Sequence, residues 1–196
     1  MLHNNKRLDE LKDMILKNDK KFNTCCFTGH RPQNLPFKFN EGNAGCIKIK
    51  ENLRKIIIQL IENYSVIHFI SGVALGVDQY AAEIVLELKQ NYPHITLECA
   101  IPCETQAIKW SEAQRNRYFY IIEHCDKETL LQFQYTNNCM QKRNEYMVKN
   151  SKYIIAVWDG NPSGTGKTVA LAKSLNKYIF IINPITFEIT TNFQVP

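Results

Sequence analysis

His68-Phe69-Ile70-Ser71-Gly72-Val73-Ala74-Leu75-Gly76-Val77-Asp78-Gln79-Tyr80-Ala81-Ala82 is the stretch whose reading decides the fold. The apolar run from Val66 to Ile70 has the length and composition of a buried strand and stops at Ser71-Gly72. Beyond it Val77, Ala81, Ile84, Val85 and Leu88 recur at helical spacing. The expectation is a strand, a glycine turn and a helix over 77–91. Gly72 permits a sharp turn because it has no Cβ. Gly76 permits close approach of the backbone to a neighbouring strand or to a ligand. The helix start offers free N–H groups and the positive end of its dipole, which suits phosphate. The spacing Gly-x-x-x-Gly is not the dinucleotide fingerprint Gly-x-Gly-x-x-Gly, and a plain strand-to-helix turn explains it equally well.

The same alternation continues on both sides. Thr24–Thr28 reads as a short buried strand, 53–61 as a helix, Ile95–Ile101 as a strand and 106–123 as a helix. A weak strand is expected over 128–133, a helix over 139–150, a strong strand over 153–158, a helix over 169–175 and a last strand over 178–182. Strands alternating with helices imply α/β architecture: a mostly parallel sheet with helices on both faces. Residues 1–23 carry Leu8, Leu11, Ile15 and Leu16 at helical spacing and form an amphipathic extension; 24–184 form one domain; 185–196 are a weakly patterned tail. Gln33–Gly45 is long for a connection in a compact domain.

A chain of 196 residues supplies a core that needs no staples. Net charge is +5, with lysines and arginines scattered. That permits a phosphate-bearing ligand, and nucleic acid without favouring it. The seven cysteines are odd in number and none forms Cys-x-x-Cys. With a charged N-terminus in place of a signal peptide, this predicts reduced thiols in the cytoplasm. The short-range ligand pairs of a zinc site are absent, so no metal is expected. No apolar run approaches the roughly 20 residues of a membrane span.

Chemistry concentrates where strands end. The first strand is followed by Thr28, Gly29, His30 and Arg31, the second by Ser71, Gly72, Gly76 and Asp78, the third by Pro102, Cys103 and Glu104. The fifth is followed by Asp159, Gly160, Ser163, Gly164, Thr165, Gly166, Lys167 and Thr168. Hydroxyls, bare N–H groups and the cations Arg31 and Lys167 are what a phosphate and a ribose need. Trp110 and Trp158 offer stacking surfaces, although core packing accounts for each on its own. Asp78 at a helix start also reads as a cap. Gly166-Lys167-Thr168 ends like a P-loop, but the required first glycine falls on Asn161. No nucleophile–base set assembles from spacing, so no catalytic residue is assigned.

Cys26-Phe27-Thr28-Gly29-His30-Arg31-Pro32, followed by Leu35-Pro36-Phe37, resembles the opening of YpsA-like proteins of the SLOG superfamily, which includes DprA and the LOG nucleotide hydrolases. Ser71–Asp78, Ala81-Ala82-Glu83, Ile101–Glu104, Trp110, Lys142-Arg143-Asn144, Tyr146-Met147-Val148, Val157–Gly160 and Gly164-Thr165 extend the resemblance, in order, over about 24–184. It implies a Rossmann-like three-layer sandwich of bacterial or phage origin. Its strand-end loops, with Arg143 and Asn144, would bind a nucleotide or nucleotide derivative of ADP-ribose type. The implied role is sensing or regulation, in a chain able to form a homo-oligomer. Two alternatives follow from the same resemblance: nucleotide or N-glycoside hydrolysis of LOG type, and single-stranded DNA binding of DprA type. The LOG motif Pro-Gly-Gly-x-Gly-Thr-x-x-Glu is not met by Pro162-Ser163-Gly164-Thr165, and its glutamate falls on Thr168.

Overall fold

The computed structural model describes residues 23–194; the expected N-terminal helix falls outside them. In chain order the elements are β1 (Thr24–Gly29), α1 (Ala44–Tyr64), β2 (His68–Ser71), α2 (Val77–Leu88), β3 (Thr96–Ile101) and α3 (Glu112–His124). They continue with β4 (Lys127–Leu130), α4 (Cys139–Lys149), β5 (Tyr153–Val157), α5 (Gly164–Ser174), β6 (Tyr178–Ile182) and β7 (Ile189–Thr191). The strands form one sheet in the order β4-β3-β2-β1-β5-β6-β7. Every pairing is parallel except β6 with β7.

The winding runs outward from β1 to β4, then returns to place β5 on the other side of β1. Right-handed crossovers put the helices of the two halves on opposite faces, and side-chain alternation along the strands divides the core accordingly. Cys25, Phe27, Phe69, Leu97, Ile155 and Phe180 pack under α1, α2 and α3, with the Phe27 and Phe69 rings stacked at 6.0 Å. Cys26, Ile70, Ala100, Ile154 and Ile179 pack under α4 and α5. Burial on both faces is why Tyr153–Val157 is apolar without alternation.

Local signals set several element ends. Asn43 caps α1, its Oδ1 accepting from the Gly45 N–H at 2.8 Å. Ser111 and Gln114 form a reciprocal capping box. That box starts α3 at Glu112, so the helix expected over 106–123 is shorter at its N-terminal end: 106–110 are turns and a bend, and Ser111 is extended. The helix expected over 169–175 starts instead at Gly164, because Ser163 caps it there. Thus Gly164–Thr168 belong to the start of the helix and not to a loop. The tail, expected to be weakly patterned, supplies β7, which pairs antiparallel along the edge of β6. At the opposite edge, exposed Lys127 and Glu128 on β4 discourage further strand addition.

On the α4 face Glu98 is 2% exposed and carries four hydrogen bonds. Its Oε2 accepts from His68 Nε2 at 3.0 Å and Lys127 Nζ at 2.9 Å. Its Oε1 accepts from Thr129 at 2.8 Å and the Tyr146 hydroxyl at 2.7 Å. Burial alone would raise this carboxyl, but the hydrogen bonds from His68, Tyr146, Lys127 and Thr129 outweigh it and hold it at about 2. One carboxylate thus ties together β2, β3, β4 and α4.

Candidate functional site

Ligands of open α/β sheets bind beyond the carboxyl ends of the strands, where the winding reverses. Here that point lies between β1 and β5. A cavity of about 220 Å³ opens there. Its walls come from Thr28 and Gly29 at the end of β1, His30, Arg31 and Asn34 just beyond it, Ala74 in the turn after β2, Asp78 at the start of α2, Met140, Arg143 and Asn144 on α4, and Ser163–Thr165 at the start of α5.

The start of α5 is shaped by its own side chains. Ser163 Oγ accepts from the Gly166 N–H at 3.0 Å. Helix geometry leaves the N–H groups of Gly164 and Thr165 without an intrahelical acceptor. Nothing lies within 4 Å of a Cβ built on Gly164, so this turn is open to a ligand. Thr168 Oγ1 donates to the Gly164 carbonyl at 3.0 Å and accepts from Asn144 Nδ2 at 2.9 Å. Asn144 Oδ1 in turn accepts from Arg143 Nε at 2.8 Å. The amide therefore couples α4 to the first turn of α5.

Arg143 is 4% exposed, and its Nη1 lies 3.3 Å from Asp78 Oδ2. Burial lowers the basicity of this guanidinium, against the attraction of Asp78. Burial raises the Asp78 carboxyl, opposed by Arg143 and by the Ala74 backbone N–H. The pair holds a positive group at the base of the cavity, and Arg31 adds a second, exposed one.

The turn after β2 is strained in a way its sequence does not show. Val73 has φ +50°, unusual for a β-branched residue. Three hydrogen bonds hold it: Ser71 Oγ accepts from the Val73 N–H at 3.1 Å, and Gln106 Nε2 donates to the carbonyls of Gly72 (3.2 Å) and Val73 (3.3 Å). Ser71 Oγ also donates to the Asp78 carbonyl at 2.8 Å. Gly76 has φ +92°, and a Cβ there would lie 2.9 Å from Pro32 Cδ and 3.0 Å from the His30 carbonyl. Its closeness is to the β1 loop and not to the cavity. A Cβ on Gly29 would meet the Val77 side chain at 2.5 Å, so that glycine seats α2 against β1.

His30 Nε2 lies 3.0 Å from Asp159 Oδ1, joining the loops after β1 and β5. Asp159 also accepts from the backbone and side-chain N–H groups of Asn161, at 3.0 and 2.8 Å. Against some desolvation, those bonds and the His30 contact hold its carboxyl at about 2.

The structure brings Thr28, Gly29, His30, Arg31, Asp78, Arg143, Asn144, Ser163, Gly164 and Thr165 around one cavity. Ser71 and Gly72 form the turn beneath it. Lys167 and Thr168 line a neighbouring cavity between α4 and α5. Pro102, Glu104, Trp110 and Gly160 line neither. Glu104 is exposed, and Trp110 packs edge-on against Tyr118 at 5.5 Å. The third strand-end loop thus stands apart, and α4 takes its place as a wall. Trp158 packs beneath Gly166, where a Cβ would lie 3.3 Å from its ring, and donates Nε1–H to the Asn161 carbonyl at 2.8 Å. Asn34, Ala74 and Met140 were not legible as wall residues. Met140 had a usable signal, since it precedes Arg143 and Asn144 by one helical turn. Among the described residues no group of three or more His, Cys, Asp or Glu is arranged to hold a metal. No described helix is long and apolar enough to cross a membrane.

A doubly wound, mostly parallel sheet with its crevice at the switch point defines a Rossmann-like α/β protein. Within that class the chain belongs to the YspA SLOG family, whose YpsA model matches residues 25–188. It is 33% identical to the uncharacterized SPbeta prophage-derived protein YoqJ of Bacillus subtilis, over 78% of this chain and 98% of that one. It is 33% identical to a UPF0398 protein of Halalkalibacterium halodurans, over 70% of this chain and 73% of the relative. The fold is also that of the DNA processing protein DprA. The Streptococcus pneumoniae structure superposes with a TM-score of 0.56 at 18% identity, over 84% of this chain and 51% of that one. The chain thus spans about half the length of that DprA. The Helicobacter pylori DprA, described for its single-stranded DNA binding mode, gives 0.55 at 18% identity, over 85% of this chain and 68% of that one.

Proposed function

We propose that the cavity binds a nucleotide or nucleotide derivative of ADP-ribose type, and that the protein acts as a sensor of that ligand in the bacterial cytoplasm. One observation carries the reading: the open first turn of α5 faces buried Arg143 and exposed Arg31 across the cavity at the switch point. Amide N–H groups, a hydroxyl and a guanidinium fixed before binding form a receptor for phosphate whose ordering cost is met by the fold. Seven free cysteines agree with a reducing compartment.

Titration calorimetry with ADP-ribose tests it. Arg31→Met and Thr165→Ala are expected to weaken binding roughly tenfold each, the loss of one charge-assisted or cap-side contact, with thermal midpoints near that of the parent. A panel of nucleotides that shifts no thermal midpoint defeats the proposal.

A hydrolase at the same site is the second reading, supported by the His30–Asp159 pair beside the cavity, which has the form of an oriented base. The position of the LOG glutamate counts against the LOG mechanism, because Thr168 is buried and its hydroxyl engaged. Chromatography of nucleoside monophosphates incubated with concentrated protein decides between binding and turnover; no released base or phosphate rejects the hydrolase.

A further inference from the structure

The cavity between α4 and α5, of about 310 Å³, shares Met140, Asn144 and Gly164 with the first. The open space above Gly164 makes that residue a sill between the two compartments and not a partition. On the far side stand Lys167 and Leu171 of α5 and Gln141 of α4.

Lys167 is the anomaly. It is the fourth residue of α5, exposed, and it makes no ion pair among the described residues. A cation so near a helix N-terminus opposes the helix dipole, and the first turn of α5 contains no acidic residue to offset it. The carboxylate lining this compartment, Glu145, is occupied: Gln141 donates to it at 3.1 Å and Lys149 lies 3.6 Å away. In the first compartment Asp78 is committed to Arg143. With Arg143 balanced by Asp78, the two compartments share a positive field from Arg31, Lys167 and the start of α5 that no free carboxylate among their lining residues answers.

We infer that the ligand crosses the Gly164 sill, and that Lys167 selects a nucleotide bearing a second anionic group, such as a ribose phosphate, separated from the first phosphate. This rests on the nucleotide reading above and adds the ligand class to it. The first phosphate lies on the Gly164 and Thr165 amides beside Arg143. The second lies in the α4–α5 compartment within reach of the flexible Lys167 stem.

Calorimetry with two probes, adenosine 5′-monophosphate and adenosine 3′,5′-bisphosphate, tests the inference on the full chain. The bisphosphate is expected to bind about tenfold more tightly than the monophosphate, the effect of one added charge-assisted contact. Lys167→Met is expected to bring that ratio to within about twofold, and Lys167→Arg to restore most of it. Lys173→Met removes the same charge from the far end of α5 and is expected to leave the ratio intact. An unchanged ratio in Lys167→Met, an equal loss in Lys173→Met, or no preference in the parent overturns the assignment to Lys167 while the nucleotide reading stands. Failure of the parent to bind either probe overturns this inference, and failure to bind ADP-ribose as well overturns the nucleotide reading with it.

Discussion

A Cβ placed on Gly72 would lie 1.4 Å from Nη1 of Arg143, so the guanidinium rests directly on the bare α-carbon of the β2 turn. Read from sequence, Gly72 is the bare residue of a sharp turn and one of the candidate ligand-binding positions. In the fold its bareness admits Arg143, and Arg143 meets the cavity. The same substituent would lie 2.7 Å from Asp78 Oδ2, so both members of the buried pair depend on this one missing side chain.

Gly72→Ala is therefore expected to destabilise the domain by about 2–4 kcal/mol, combining overpacking with displacement of a buried charge from its partner. Urea denaturation measures it. A loss below about 0.5 kcal/mol, the level of an ordinary surface change, would show that Arg143 is not seated as described.

Asp78→Asn leaves the guanidinium buried without its counter-charge, and a loss of about 3–5 kcal/mol is expected. Adding Arg143→Met should recover a substantial part of it, because the unpaired charge is then gone. The double-mutant cycle checks this, and strictly additive losses would contradict the pairing.

Glu98 makes stability depend on acid. Its carboxyl is held at about 2, below its ordinary value of 4.5, so its contribution is complete above about pH 4.5 and disappears as pH falls toward 2. With solvent screening at half-exposed Lys127 and partly exposed His68, the expected loss is about 1–3 kcal/mol. Asp78 acts in the opposite sense, since burial raises its carboxyl. Unfolding free energies measured from pH 6 to pH 2.5 should show a slope that Glu98→Gln flattens.

Single-stranded DNA is expected to bind weakly. The chain carries +5 net charge without a massed basic stripe, and its tryptophans are engaged with Tyr118 and Gly166 rather than presented as stacking platforms. A gel shift with an oligonucleotide at moderate salt should show no discrete complex. A tight complex with a steep salt slope would instead align this chain with the DNA binding described for the Helicobacter pylori DprA.

Much of the fold was legible, because the strands near β1 are buried on both faces and must be apolar throughout. Weakly apolar ends were not. β7 was illegible because Ile189–Thr191 is a short, largely exposed edge strand held by pairing with β6 rather than by its own pattern. The start of α5 was misplaced because glycines at 164 and 166 read as loop, while the Ser163 cap and the Trp158 ring beneath Gly166 hold them in a helical turn.

By itself the sequence determined the alternation of strand and helix, the family, and the loops after β1, β2 and β5 as the places where polar chemistry gathers. These follow from periodicity and from residue types that have few other uses, and both are local. Which of those residues meet was decided by the sheet order alone. With β5 beside β1, the start of α5 faces Arg31, and α4 carries Arg143 and Asn144 into the crevice in place of the loop after β3. Whether Gly72, Gly76 and Gly29 serve a ligand or serve packing was likewise a tertiary question, because a missing Cβ has meaning only in terms of the atom that fills its space.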